Sequence, residues 1–188
     1  MSQVAAPMGL LAAAHPSGSI RQANLVDGIL SGYANAIFQN SPIKWDVNGT
    51  IIPVVANNDP VMGVFSGCEF TQTDGTRRVL PYWPAAQTYI AGSCLAKFVP
   101  ISDADAIFVG QTNASVAVAA RGQGINLVTG NPTGSVQTGL SSQALGALTG
   151  ATAASFQVLD FVNQPDNAWG DPFVWLFVKI ANPQGLVA

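Results

Sequence analysis

The dipeptide Asp74-Gly75, inside the stretch Val61 to Ala85 (VMGVFSGCEFTQTDGTRRVLPYWPA), limits the folds open to this chain more than any other feature. A two-residue type I′ turn needs positive φ at both turn positions, which Asp-Gly supplies at little cost, so the flanking runs are expected to pair as a hairpin. A two-residue loop would set Phe70 opposite Val79 and Glu69 opposite Leu80, with Arg77 and Arg78 as hydrophilic strand positions after the turn. Pro81-Tyr82-Trp83-Pro84 ends the second strand, because neither proline offers an N–H to a ladder. The two rings are then expected at a strand end, a barrel mouth or an interface.

A second turn of the same kind, Asn48-Gly49, separates Pro42–Val47 from Thr50–Val54. Its expected register puts Trp45 opposite Ile52 and Asp46 opposite Ile51. Further short strands are expected at Thr88–Ile90, Leu95–Val99, Ala106–Val109, Ser115–Ala120, Phe156–Phe161 and Pro172–Ile180. Apolar residues occupy both faces of the last, with Phe173, Trp175 and Phe177 alternating against Val174, Leu176 and Val178, so cover is expected on both sides. Residues 129–154 carry no charge and are rich in Gly, Thr, Ser and Ala, which reads as loop, with a brief serine-capped helix at Leu140–Leu145. The segment Ser102–Asp105 reads as a turn. Strand segments outnumber helical ones throughout, and the fold class follows as all-β: a single compact barrel or sandwich of short antiparallel strands.

Residues 1–19 are small, apolar and nearly uncharged, with Gly9-Leu10-Leu11 and then His15-Pro16, and read as an extended N-terminal arm ahead of one β-rich domain at 20–188. Exposed leucines on such an arm call for docking on the chain's own body or on a neighbour. Charged residues make up 9% of the chain, against about 25% in ordinary globular proteins, which fits either an exposed surface rich in Ser, Thr, Asn and Gln or, the favoured reading, an exterior largely covered by other protein. The net charge of −3 and the scattered basic residues argue against nucleic acid as a partner. No apolar run reaches the roughly 18 residues of a membrane helix, and no basic segment precedes an apolar core at the start, which points to cytoplasmic synthesis without secretion or membrane insertion.

Chemistry-bearing motifs are scarce. Gly122-x-Gly124 has Leu127 where a dinucleotide fingerprint needs its third glycine, and a turn is the better reading. His15 is the only histidine, which excludes a multi-histidine zinc site and leaves a catalytic triad to recruit a residue from the arm. Glu69, the sole glutamate, Asp103 with Asp105, and Asp166 with Asp171 are the carboxylates that could form an acid/base pair, and Asp103, Asp105 or the Asp160 to Asp171 loop could hold calcium; near Asn and Pro the aspartates read as turn formers first. Neither enzymatic activity nor a cofactor or resident metal is expected. Cys68 and Cys94 fit either a disulfide or two buried thiols. The candidate packing or interface residues are Leu10, Leu11, Tyr82, Trp83 and Trp169.

Taken in order, several segments resemble the decoration, cement or capsid-stabilising proteins of tailed-bacteriophage heads. They are the Gly9-Leu10 arm leading to His15, Ser31-Gly32-Tyr33-Ala34-Asn35-Ala36-Ile37-Phe38, Gly63–Cys68 followed by Pro81–Ala85, Ala120-Arg121-Gly122 to Thr129-Gly130-Asn131 with Gly139-Leu140-Ser141, and Asn167-Ala168-Trp169-Gly170-Asp171. Similar proteins carry arginines where this chain has Leu11 to Ala14, so charge-based docking of the arm does not carry over. The resemblance implies a non-enzymatic virion protein, made in the host cytoplasm. It would bind the major capsid protein on the capsid exterior, often as a homotrimer, and clamp neighbouring capsomers. The arm would then be a second attachment whose removal, residues 1–19, leaves the body folded. A tail-associated or extracellular carbohydrate-binding barrel is the competing class, with Tyr82, Trp83 and Trp169 as its stacking platform.

Overall fold

The computed structural model describes residues 4–100, 106–130, 132–150 and 154–184. These form an all-β protein in which two antiparallel sheets pack together as a sandwich. The twelve strands are β1 (Leu11–Ala14), β2 (Ala23–Val26), β3 (Pro42–Trp45), β4 (Ile51–Pro53), β5 (Gly63–Thr71), β6 (Arg77–Leu80), β7 (Leu95–Pro100), β8 (Ile107–Gln111), β9 (Gly124–Leu127), β10 (Leu145–Gly150), β11 (Phe156–Phe161) and β12 (Trp175–Ile180). Sheet I runs β1-β8-β12-β11-β9-β10. Sheet II runs β2-β7-β5-β3-β4, with β6 also paired to β5. The one helical element among the described residues is a 3-10 turn at Val118–Ala120, where a strand was expected; none is long and apolar enough to cross a membrane.

Both hairpins form, but each register is displaced by one residue from the expected one. Observed pairs are Glu69↔Val79 and Phe70↔Arg78 at the first, Lys44↔Ile52 and Trp45↔Ile51 at the second. The cause is the same in both. Gln72 N–H donates to the Thr76 carbonyl and Gly75 N–H to the Gln72 carbonyl, while Asp46 N–H donates to Thr50 and Gly49 N–H to Asp46, so each loop spans three residues. Only the glycine takes positive φ, +86° at Gly75 and +74° at Gly49. This is a type I turn followed by a glycine bulge, which uses the same Asx-Gly signature with one more loop residue. The Asp74 carboxylate accepts the Thr76 N–H at 2.8 Å and Asp46 accepts the Asn48 amide at 2.7 Å, bonds that tighten both turns.

Each sheet has its own hydrophobic cluster, and β5 supplies both. Val64 enters the cluster of sheet I with Phe108, Phe156, Leu176 and Val178. Phe65, Cys68 and Phe70 enter that of sheet II with Ile43, Trp83, Cys94 and Ala96. Strict alternation would send Phe65 and Cys68 to opposite faces. A register shift between Phe65 and Gly67 against β7 changes the phase, and Gly67 at φ +142° is the residue able to occupy that position. Trp83, fully buried, lies 5.0 Å from the Phe70 ring and 5.8 Å from Tyr89, whose hydroxyl donates to the Ile29 carbonyl at 2.6 Å.

Several expectations for the less patterned segments change. Residues 140–145 form no helix: Leu140 and Ser141 make isolated bridges and Leu145 opens β10, a strand within the region read as loop. The segment 88–90 is irregular, and β12 begins at Trp175. Strands β2 and β9, too short and polar to announce themselves, pair at β7 and between β10 and β11. Ser102–Asp105 lies outside the described residues.

The arm is part of the sandwich. β1 pairs with β8 at the edge of sheet I, and Leu10, 1% exposed, belongs to that sheet's cluster. Gly9 N–H donates to the Gln143 carbonyl and Leu10 N–H to Asn40, while Gln111 accepts the Ala6 N–H and donates to the Val4 carbonyl. Removing residues 1–19 therefore takes a leucine from the core and strips the edge of β8, which overturns the expectation that the body would be left intact. Leu10→Ala is expected to cost about 2–5 kcal/mol of unfolding free energy in denaturant titrations, and Leu11→Ala, on a 46% exposed side chain, well under half of that.

Candidate interaction surface

Sheet I buries one face fully and leaves the other half-buried at β8 and β12. Val174, just ahead of β12, and Leu176 and Val178 within it are fully buried, whereas Trp175 and Phe177 are half-buried on the opposite face. Cross-strand register aligns Leu11 of β1, Val109 of β8 and Phe177 of β12 in one row. Trp175 stands beside it, opposite Gln111. Residues 4–6 cross over Gln111, which is 1% exposed, and within the row Leu11 is 46% exposed while Val109 and Phe177 are half-buried. The cover expected over both faces of the last strand is complete on one face and partial on the other, with no residue of β12 exposed. The row was legible in the alternation of β12 but not in β1 or β8, whose positions depend on pairing over nearly a hundred residues.

The other candidates are dispersed. Trp83 is fully buried and unable to stack on a ligand, Tyr82 stacks on Phe38 at 5.8 Å, and Trp169 meets the edge of Phe161 at 5.5 Å beside the cluster of sheet I. The Arg121 guanidinium covers the Trp169 ring at 5.5 Å and pairs with Asp160 at 2.9 Å. No common platform brings Tyr82, Trp83 and Trp169 together. Leu10 serves the core, and of the five only Leu11 contributes to the partly exposed row.

The charged side chains are largely committed to local structure. Glu69 pairs with Arg77 and with Lys97, and Lys44 with Asp59 at 2.8 Å. Asp27 accepts the Gly92 N–H at 2.7 Å and so ties two distant loops together, whereas Asp171 accepts the Ala168 N–H at 3.0 Å and acts as a turn former. Hydrogen bonding to Arg77 holds the Glu69 carboxyl below its usual range, and Arg121 does the same for Asp160. Burial works against ionisation of Asp59, but the Lys44 ammonium and the N–H groups of Ala56 and Val55 outweigh it and lower its pKa. Asp103 and Asp105 lie outside the described residues; among those described, no group of three or more His, Cys, Asp or Glu side chains could hold a metal ion. Cys68 and Cys94 are free buried thiols of the sheet II cluster, pushed by burial to about 12 and about 11.

Comparison with protein-family models, with curated proteins and with solved structures finds no match to this chain.

Two measurements check this assignment of roles. Trp83→Ala is expected to lose about 3–5 kcal/mol of stability through the cavity it leaves, read from denaturant unfolding. For Asp59, a folded-state pKa below the unfolded value near 3.9 means that its stabilisation is complete above that value and is lost as pH falls through the folded one. Asp59→Asn should melt lower than the parent at neutral pH, and the difference should shrink on acidification to about pH 2.

Proposed function

We propose that this chain is a virion structural protein of the decoration or cement class, one that docks on the outside of an icosahedral phage head and stabilises its lattice. The observation that carries this reading is the partly exposed apolar row Leu11–Val109–Phe177 beside Trp175, on a chain in which only 9% of residues are charged. A central strand with half-buried aromatic residues on one face gains by being covered further, and burial releases about 25 cal/mol for each Å² of apolar surface removed from water. The ordered resemblance from Gly9-Leu10 to Asn167–Asp171 supplies the identity of the surface: the major capsid protein, approached by a homotrimer.

Attachment in this account runs through the sheet face rather than through a loose arm, because the arm is bound to its own body from Val4 to Ala14. Many modest apolar contacts, repeated over the lattice, would resist the outward load on capsomer junctions without any covalent step. The carbohydrate-binding alternative loses its platform with the burial of Trp83 and the separation of Tyr82 from Trp169.

The test is binding of the purified protein to heads that lack it, followed by sedimentation. Apolar docking predicts retention at 1 M salt, where the Debye length is about 3 Å and long-range charge attraction is screened. Phe177→Lys is expected to weaken binding by at least about tenfold while its melting curve stays cooperative. Binding that disappears in salt, or is untouched by Phe177→Lys, would remove the sheet face from the account.

A further inference from the structure

Sheet edges expose unpaired backbone donors and acceptors, and folded chains protect them with charge, proline, irregular pairing or cover. Among the described strands, four of the five edges carry such protection. β6 presents Arg77 and Arg78. β4 contains Pro53, and its Ile51 N–H is taken by the Gly28 carbonyl at 2.7 Å. β10 has two register shifts against β9, and β1 has one against β8. β2 has none. It runs Ala23-Asn24-Leu25-Val26 in unbroken register with β7, carries no charge, and exposes Asn24 together with Val26, the latter at 61%.

The free side of β2 can be assigned atom by atom. Asp27 N–H donates to the Cys94 carbonyl at 2.7 Å, which continues the register Ala23↔Phe98 to Val26↔Leu95. Alternation then turns the backbone groups of Ala23, Leu25 and Asp27 toward β7 and those of Asn24 and Val26 outward.

We infer that β2 is a self-pairing edge, which joins a second copy of this chain antiparallel across a two-fold axis at Asn24. In that register the N–H and C=O of Asn24 exchange hydrogen bonds with those of their own counterparts, and Gln22 pairs with Val26. A residue on a two-fold axis meets itself, so a charge there would repel, whereas a carboxamide is both donor and acceptor and complements itself. A four-residue edge is small beside the roughly 1,000 Å² of a stable interface, so the dimer is concentration-dependent in solution and reinforced where copies are held close together. This contact does not depend on the head-decoration reading, and it uses a different strand from the half-buried face of sheet I.

Cysteine trapping tests it on the full chain. Directly opposed residues of a hydrogen-bonded antiparallel pair have Cα atoms about 5.5 Å apart, within disulfide reach. Oxidised Asn24→Cys protein should therefore run on a non-reducing denaturing gel as a covalent pair of the 19.4 kDa chain, reversed by reductant. Cys68 and Cys94, both buried, should leave the parent protein as single chains. The control is Val79→Cys on β6, 64% exposed but beside Arg77 and Arg78, which should cross-link at least about tenfold more slowly. Asn24→Cys that stays a single chain, that dimerises no faster than Val79→Cys, or that traps a different protein on assembled particles in place of its own copy, would overturn the proposal.

Discussion

The phase change in β5 is the constraint on which the rest of the sandwich depends. One strand of nine residues delivers Val64 to the cluster of sheet I and Phe65, Cys68 and Phe70 to that of sheet II, and only the irregularity at Gly67 lets Phe65 and Cys68 share a side. A side chain at Gly67 would have to adopt φ +142°, with its Cβ 3.0 Å from the Leu80 carbonyl oxygen. Without the shift, the segment after Ser66 would turn Cys68 and Phe70 away from Trp83 and place Gly67 and Glu69 in the core. The aromatic group Phe70–Trp83–Tyr89 therefore rests on a single backbone position.

Much of the strand content was legible in the sequence because its causes are local. Asp74-Gly75 and Asn48-Gly49 mark the two hairpins, and the alternation in Phe156–Phe161 and after Trp175 marks β11 and β12. What was not legible is set by single extra residues or by distant partners. Asx-Gly serves loops of two and three residues alike, so the dipeptide locates a hairpin without fixing its register. β2 and β9 are short and gain their pairing from β7, β10 and β11, and residues 145–150 become a strand only because Leu145 and Leu148 meet Leu127 and Ile125. Leu10 and Leu11 stood side by side as interface candidates. Pairing with β8 sends one into the core and the other to the surface.

Low charge acquires a physical meaning from this arrangement. Most described carboxylates close a turn, tie loops together or meet a cation within the chain, as Asp27, Asp59, Glu69, Asp74 and Asp160 do, which leaves little charge to define an outward-facing electrostatic surface. Among the described residues, the features with least cover are instead a partly exposed apolar row on sheet I and an uncharged strand edge on sheet II. Surfaces of that kind suit a protein held at high local concentration against other protein, where geometric repetition sums weak contacts into a firm attachment.

The most direct test of the central claim is stoichiometric: quantitative mass spectrometry of this chain against the major capsid protein in purified particles from its source. A lattice-wide head protein predicts roughly one copy for each capsid subunit, stable through gradient purification. A handful of copies would place the chain at a tail or a unique vertex, and complete absence would take it out of the particle; either result would contradict the account.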